Sequence, residues 1–439
     1  MKRIILLLLF VTIFLNQKET HASEILKVKL KNYIGDKEEL TIQVKGRYTT
    51  MNGIEVISEE VEHILTIKKG SILLTNQNEK MSFDDSFVLI PDVYDEEHVI
   101  TVNNKKYLGA MEFMIEDGKY IRPINQIPIE DYLKGVVPFE VYPSWKLETL
   151  KAQALAARTY TMTHMDKDMD DTIQYQVYGG YEWFEQASKA VEETKGEIIT
   201  FDNKPINAYY SASNGGVTEN NKNVWGETAR VYFPIKKDPY DPIQPWTLTL
   251  HKEQLFLKNI DASTLNWWDK LVEKDPSITE SMKNRLKKQG YEGDIKILSI
   301  SNLDISPDQN ESNRAKKGSI KIEFLRRLIE GTILYEVVEL NETAIDKIRP
   351  LIGGSSFKSY LIDSFEEHDR YYVIRGRGFG HGVGMSQWGA SIMGDKGYTY
   401  RDIIDHYYPG TTIKKIDDIQ KDEEKKGETS KSNEGNNGS

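Results

Sequence analysis

From Glu24 to Tyr120 the chain alternates apolar and polar residues in short runs. ILKVKLKNYIG, ELTIQVKG, HILTIKKGSILLT, SFVLIP and HVITVNNKKYLGAMEFMI follow one another, with Gly, Asn or Asp between them. A period of two places alternate side chains on one face of a sheet, so this stretch reads as hairpins. It holds no cluster of reactive side chains and reads as a scaffold or binding module.

The pattern then changes. KLETLKAQALAARTYTMTHM places Leu147, Leu150, Ala154, Ala157 and Thr161 three or four residues apart. That spacing predicts a helix with one stripe facing a core. Pro143 and Ser144 predict its start. Val191 to Trp225 returns to strands. Leu250 to about Arg349 is highly charged and weakly patterned, and reads as a helix end followed by strands. From Tyr371 the chain reads as a strand, a glycine-rich turn, a helix and a second short helix. Lys414 to Ser439 has almost no apolar residues and reads as a disordered tail. The expected class is α+β and strand-rich, with an alanine-rich helix in the core and a β-rich N-terminal module. The expected divisions are 1–22, 24–120, a core over 121–413 with a charged insertion at about 250–350, and a tail over 414–439.

Lys2 and Arg3 precede a 12-residue apolar run, Ile4 to Leu15, and Thr20-His21-Ala22 offers a cleavage site. This order predicts a secretory signal peptide over 1–22, or an uncleaved anchor. Either predicts export, to the outer face of the membrane or the cell wall. ATP and NAD pools are absent there, and wall polymers and surface proteins are the accessible substrates. In the 439 residues, 68 acids outweigh 57 bases for a formal charge of −11, which argues against a nucleic-acid binder. The absence of cysteine excludes disulfides, thiol nucleophiles and cysteine-ligated metals.

Three segments carry candidate chemistry. In Gly135-Val-Val-Pro-Phe-Glu140, a carboxylate lies among apolar and aromatic neighbours. Such surroundings raise a carboxyl pKa and suit a general acid, whereas a nearby helix start would oppose the rise. In Ser211-Ala-Ser-Asn-Gly-Gly-Val-Thr-Glu219, small residues let backbone amides approach a polar ligand, or simply form a tight hairpin loop. In Arg375-Gly-Arg-Gly-Phe-Gly-His-Gly-Val-Gly-Met-Ser-Gln387, glycines alternate, but the spacing is not that of a nucleotide-binding loop. Alternation instead suggests a backbone packed against something large, with His381 projecting. The eight histidines are scattered and no H-E-x-x-H or G-x-S-x-G occurs. No metal and no cofactor is expected.

Together these segments resemble the stage II sporulation protein D (SpoIID/LytB) family. LKGVVPFEVYPSWKLETLKAQALAARTY, YYSASNGGVTENNKNVWG and RGRGFGHGVGMSQWGA match its motifs in order, and HYYPGTTI at 406–413 resembles its ending. The resemblance covers about Lys106 to Ile413. It implies one of two activities. One is a peptidoglycan lytic transglycosylase, cutting between N-acetylmuramic acid and N-acetylglucosamine in sporulation or wall remodelling. The other is a glycan-binding enhancer of a wall amidase that does not cut. Glycan strands are the implied partner, with an amidase or other sporulation proteins beside them. The family's catalytic glutamate falls on Glu140. The resemblance further implies substrate contacts from Arg158, which reads equally as a surface or packing arginine, and from Gln176, Ser213, Gly215, Gly216, Thr218, His381, Ser386 and Gln387. Some family members hold zinc with Cys and His ahead of the Q-V-Y segment. Here that stretch is DDTIQYQVYGG, with neither residue, so no zinc is implied.

Overall fold

A computed structural model describes residues 25–50, 57, 59–78, 80–257, 264 and 266–419. The signal segment expected over 1–22, and the expected tail from 420 onward, lie outside the described residues. Among the described residues no helix is long and apolar enough to cross a membrane. The fold is α+β. The chain forms two compact units, Met1–Gly135 with Lys167–Glu182, and Val136–Asp166 with Trp183–Ser439.

The first unit holds two six-stranded sheets. Alternation sets their faces: in Glu39–Lys45, Leu40, Ile42 and Val44 point inward while Glu39, Gln43 and Lys45 face water. Tyr120–Pro128 pairs antiparallel with both Ile25–Lys29 and Ala110–Glu116. Buried between its neighbours, it is inward on nearly every residue. Two polar residues there are fully satisfied. Asn125 donates to the carbonyls of Leu108 and Ala110 and accepts from the Tyr178 hydroxyl at 2.7 Å. Arg122, 2% exposed, is paired with Asp36 and Glu116.

The second unit is built on the helix Leu147–Met162, which begins three residues after Ser144. Pro143 and Ser144 belong to the turn before it. Every residue from Thr149 to Thr161 except Lys151 is buried, so the helix is enclosed on all sides and not along one stripe. Ala152, Leu155 and Ala156 pack with Val383, Met385, Ala390, Ile403 and Tyr407. The short parallel pairing of Tyr210–Ser211 with Met385–Ser386 joins the second and third candidate segments directly.

The stretch expected as an insertion has a core of its own in this unit. Asp294–Ile305, Lys317–Arg327 and Ile333–Ala344 form an antiparallel meander, flanked by the helices Pro276–Lys288 and Ile345–Ile352. That core also takes Trp246, Leu248 and Leu250 from Pro245–His251, and Tyr372 and Ile374 from Tyr371–Arg377. Charge masked the pattern because the outer faces of these strands carry Lys and Glu.

The C-terminal boundary also moves. Thr412–Lys415 pairs antiparallel with Glu197–Thr200, and the Ile416 amide donates to Gly196. Lys414 and Lys415 therefore belong to the fold and not to a tail. Their side chains are polar, but their backbone groups complete a sheet.

Candidate active site

Glu140 ends the one-turn helix Val137–Glu140, and Val141 leaves it in an extended conformation. The long helix starts seven residues later in the chain, at Leu147. Phe139 meets Phe184 edge-on at 6.2 Å. Glu140 itself is half-buried. Its Oε2 lies 3.4 Å from Gln387 Nε2. Gln387 Nε2 in turn lies 3.5 Å from Gln153 Oε1 on the long helix. Gln153 is 1% exposed, and its own Nε2 has no hydrogen-bond partner. An unmet buried donor costs about 1–3 kcal/mol, so this position carries a strain that packing elsewhere offsets.

Gln387 opens the helix Gln387–Asp395, capped by Ser386, whose Oγ accepts from the Gly389 amide at 3.0 Å. The same hydroxyl donates to Asp241 at 2.7 Å. Asp241 also accepts from Ser213 Oγ and from the amides of Asn214 and Ile243. One buried carboxylate therefore ties the second segment to the residue that precedes Gln387. Asp238, 3% exposed, does the same work beside it. It accepts from Asn214 Nδ2 at 2.7 Å and Tyr407 Oη at 2.9 Å. Burial alone would raise its pKa, but the polar contacts from His406, Asn214 and Tyr407 outweigh burial and hold it below the usual carboxylate range. Neither aspartate was singled out in the sequence. The available signal was their close spacing in Lys237-Asp238-Pro239-Tyr240-Asp241.

Several expected substrate contacts are interior. Arg158 is 0% exposed and donates to Thr194 Oγ1 and to the carbonyls of Glu197 and Val191. It clamps the long helix onto Glu185–Glu193 and Glu197–Phe201, and does not reach out to a ligand. Ser213 and Ser386 are spent on Asp241. Thr218 is buried, and its hydroxyl bridges Pro234 and Lys236. The Gly215 amide donates to Ser213 Oγ and the Gly216 amide to Asn214 Oδ1, so the loop's amides turn inward on the protein. Gln176 lies in the other unit, buried, accepting from Tyr132 Oη at 3.4 Å. His381 is half-buried, and its Nδ1 accepts from the Val383 amide at 3.0 Å. Burial, reinforced by the charges of Arg314 and Arg349, lowers its pKa to about 4, so it is neutral at physiological pH. Among the expected residues the structure joins Glu140 to Gln387, and Gly215 to Ser213, by direct polar contacts.

The glycine-rich turn packs on the protein. Phe379 exchanges both backbone hydrogen bonds with Ser213, at 3.0 and 2.8 Å. Beneath the turn lies Arg314, from the stretch expected as an insertion. Arg314 is 2% exposed and donates to the carbonyls of Asn214 and Val217 and to Ser312. Burial lowers its pKa to about 10, so it stays charged, 3.8 Å from the buried Glu219. Among the described residues no group of three or more His, Asp or Glu side chains is arranged to hold a metal ion.

Aromatic rings adjoin the polar pair in sequence. Tyr142, Trp145 and Trp388 are in mutual contact, with centroids 5.1 to 5.9 Å apart.

Residues 117–201 match the family described as stage II sporulation protein, SpoIID. The chain is 38% identical over 353 residues to an amidase enhancer of Bacillus subtilis (strain 168), covering 80% of this chain and 49% of that protein. It therefore spans about half the length of that relative. It is 29% identical over 394 residues to an uncharacterised protein of Brachyspira hyodysenteriae, covering 87% of this chain and 91% of the other. It is 28% identical over 316 residues to stage II sporulation protein D of Bacillus amyloliquefaciens, covering 67% and 76%.

Proposed function

The chain belongs to the SpoIID family, and from that premise we propose that it is an exported lytic transglycosylase acting on peptidoglycan in sporulation or wall remodelling. The observation that carries this reading is the half-buried carboxylate of Glu140, held to the third segment through Gln387. Export is supported by the apolar run Ile4–Leu15 behind Lys2 and Arg3.

Most glycosidases need two carboxylates, one as acid and one as base or nucleophile. Asp238 and Asp241 do not fill the second role, since both are spent as buried acceptors inside the fold. The chemistry needs only one carboxylic acid if the sugar supplies the nucleophile. Glu140 donates its proton to the glycosidic oxygen as the bond to C1 of the muramic residue breaks. The leaving glucosamine departs with a 4-hydroxyl. The muramic 6-hydroxyl closes on its own C1, and Glu140 takes that proton back. No water is consumed, and the product carries a 1,6-anhydro ring. An oxygen already within the ring's reach has a high effective molarity, which removes the need for a second protein group. The amide of Gln387 donates to the ionised carboxylate and accepts from the protonated one after rotation, so it can steady both half-reactions.

Mass spectrometry of purified glycan strands after digestion tests the reading. The full chain should release fragments ending in 1,6-anhydro sugars. Glu140→Gln keeps shape and removes the proton, and should lower the rate at least about 10²–10⁴-fold. No cleavage by the parent protein would overturn the reading. The name of the Bacillus subtilis relative favours a second reading, a glycan-bound enhancer of a wall amidase. That reading expects amidase stimulation that is equal in the parent and in Glu140→Gln, with no anhydro ends.

A further inference from the structure

The three clustered rings are placed by the same backbone that places the acid. Tyr142 follows Glu140 by two residues and Trp145 by five, and Trp388 follows Gln387 directly. Tyr142 lies 5.5 Å from Trp145 and 5.9 Å from Trp388, and the two tryptophans meet edge-on at 5.1 Å. Tyr142 touches both indoles, yet it remains 59% exposed. Trp145 and Trp388 are each half-buried. A cluster that served only to fill the interior would enclose its rings, since each apolar Å² left in water forgoes about 25 cal/mol.

We propose that Tyr142, Trp145 and Trp388 form a stacking subsite for a pyranose ring of the glycan strand, beside the bond handled by Glu140. The proposal rests on the glycan reading of the site and names the part that holds the polymer. A pyranose ring has an apolar face of C–H groups and a rim of hydroxyls. Aromatic faces carry partial negative charge and receive such C–H groups, while the rim stays in water or meets polar side chains. The occupant is argued from continuity with the polar pair. Glu140 and Gln387 are held together at 3.4 Å, and each is joined to the cluster by the chain itself. A polymer laid across the acid therefore extends onto these rings. Sugar units away from the cut bond contribute binding that aligns the reacting unit.

Binding and cleavage are measured separately in the full-length protein. Purified glycan strands free of peptide are titrated against Glu140→Gln, which holds them without cutting, with tryptophan fluorescence as one signal and strand co-sedimentation as the other. Adding Tyr142→Ala should weaken binding at least tenfold, and Tyr142→Phe should restore most of it. Trp388→Ala should weaken it similarly. Tyr142 is exposed, so its change should leave the melting temperature near that of the parent. In the cutting protein, Tyr142→Ala should raise KM more than it lowers kcat. Equal binding with and without the tyrosine and tryptophan would overturn the subsite while leaving the catalytic reading intact. Ring-dependent glycan binding by a parent that produces no anhydro ends would sustain the subsite and sink the transglycosylase reading. Unchanged glycan binding with lost amidase stimulation would make the cluster a protein-docking surface, and the proposal would fall. No glycan binding by the parent would overturn both.

Discussion

Arg314 lies directly beneath Gly382: a methyl group at Gly382 would come within 2.1 Å of Arg314 Nη2. Gly382 has φ +76°, and its carbonyl accepts from the Glu219 amide at 2.8 Å. The turn that leads to Gln387 is thus seated on an arginine from the Lys317–Arg327 side of the meander, beside the buried Glu219. Ser312 and Asn310 also donate to Glu219, at 2.6 and 2.7 Å.

Gly382→Ala should therefore fail twice. A side chain in the left-handed region costs about 1–2 kcal/mol. Forcing Arg314 aside adds about 1–3 kcal/mol of overpacking. Urea unfolding should show the summed loss, and glycan cleavage should drop even at concentrations where the variant remains folded. A variant as stable and active as the parent would mean that the turn is free to shift off the arginine.

Asp238 gives the protein a dependence on acid. Its pKa is held below the unfolded value of about 3.9, so the unfolded state binds the proton more tightly. The stabilisation is fully present above the unfolded pKa and is lost as pH falls through the lower, folded one. Asp238→Asn should destabilise the protein at neutral pH, because Asn214, Tyr407 and Tyr240 lose an ionised acceptor. It should also flatten the stability curve below about pH 4. Thermal melts of both proteins from pH 7 down to pH 3 check the two effects together. An unchanged acid limb would remove Asp238 from that role.

Glu140 and Gln387 each lie in a long motif, which is what brought both forward, and the polar contact between them is what the structure adds. Arg158 lies in the same motif string, and its two readings, ligand contact or packing, stayed open in the sequence. An arginine in an alanine-rich helix reads alike whether it points to a ligand or to neighbouring carbonyls, and only the enclosure of that helix decides. The amides of Asn214, Gly215 and Gly216 were open between ligand and hairpin. Asp241 and the side chains of the loop take them all, and that partner comes 25 residues or more further on. Arg314 was invisible for a related reason. Its stretch reads as a charged, weakly patterned insertion, while its place in the fold depends on carbonyls about 100 residues upstream.

The C-terminal limit of the fold can be tested by length alone. Thr412–Lys415 supplies the third strand of its sheet, and Lys415 Nζ donates to the Lys195 carbonyl at 2.6 Å. A chain ending after Ile419 should melt with the parent. A chain ending after Thr411 exposes the edge of Glu197–Phe201 and the buried Ile198 and Ile199, and should lose several degrees or become insoluble. Equal melting of the two would place the last strand outside the cooperative unit.

Gln153 separates positioning from stability. Its Nε2 is buried without a partner, while its Oε1 faces Gln387 Nε2 at 3.5 Å. Gln153→Met keeps length and approximate volume, and removes both groups. Losing an unmet buried donor is worth about 1–3 kcal/mol, and losing one long hydrogen bond costs about 1 kcal/mol, so the melting temperature should hold or rise. Activity should move the other way. Gln387 would lose one of the two acceptors that its Nε2 faces, and the carboxylate would be held in more than one orientation. A kcat about 3- to 30-fold lower, with glycan affinity unchanged, is the expected result, at the lower end of what misplacing a catalytic group costs. Gln153→Glu supplies the contrast, since it keeps an acceptor towards Gln387 and adds an acidic group. Its rate against pH should be displaced from the parent profile, whereas Gln153→Met should scale that profile down without moving it as far. If both variants melt and cut as the parent does, the contact between Gln153 and Gln387 has no part in orienting Glu140.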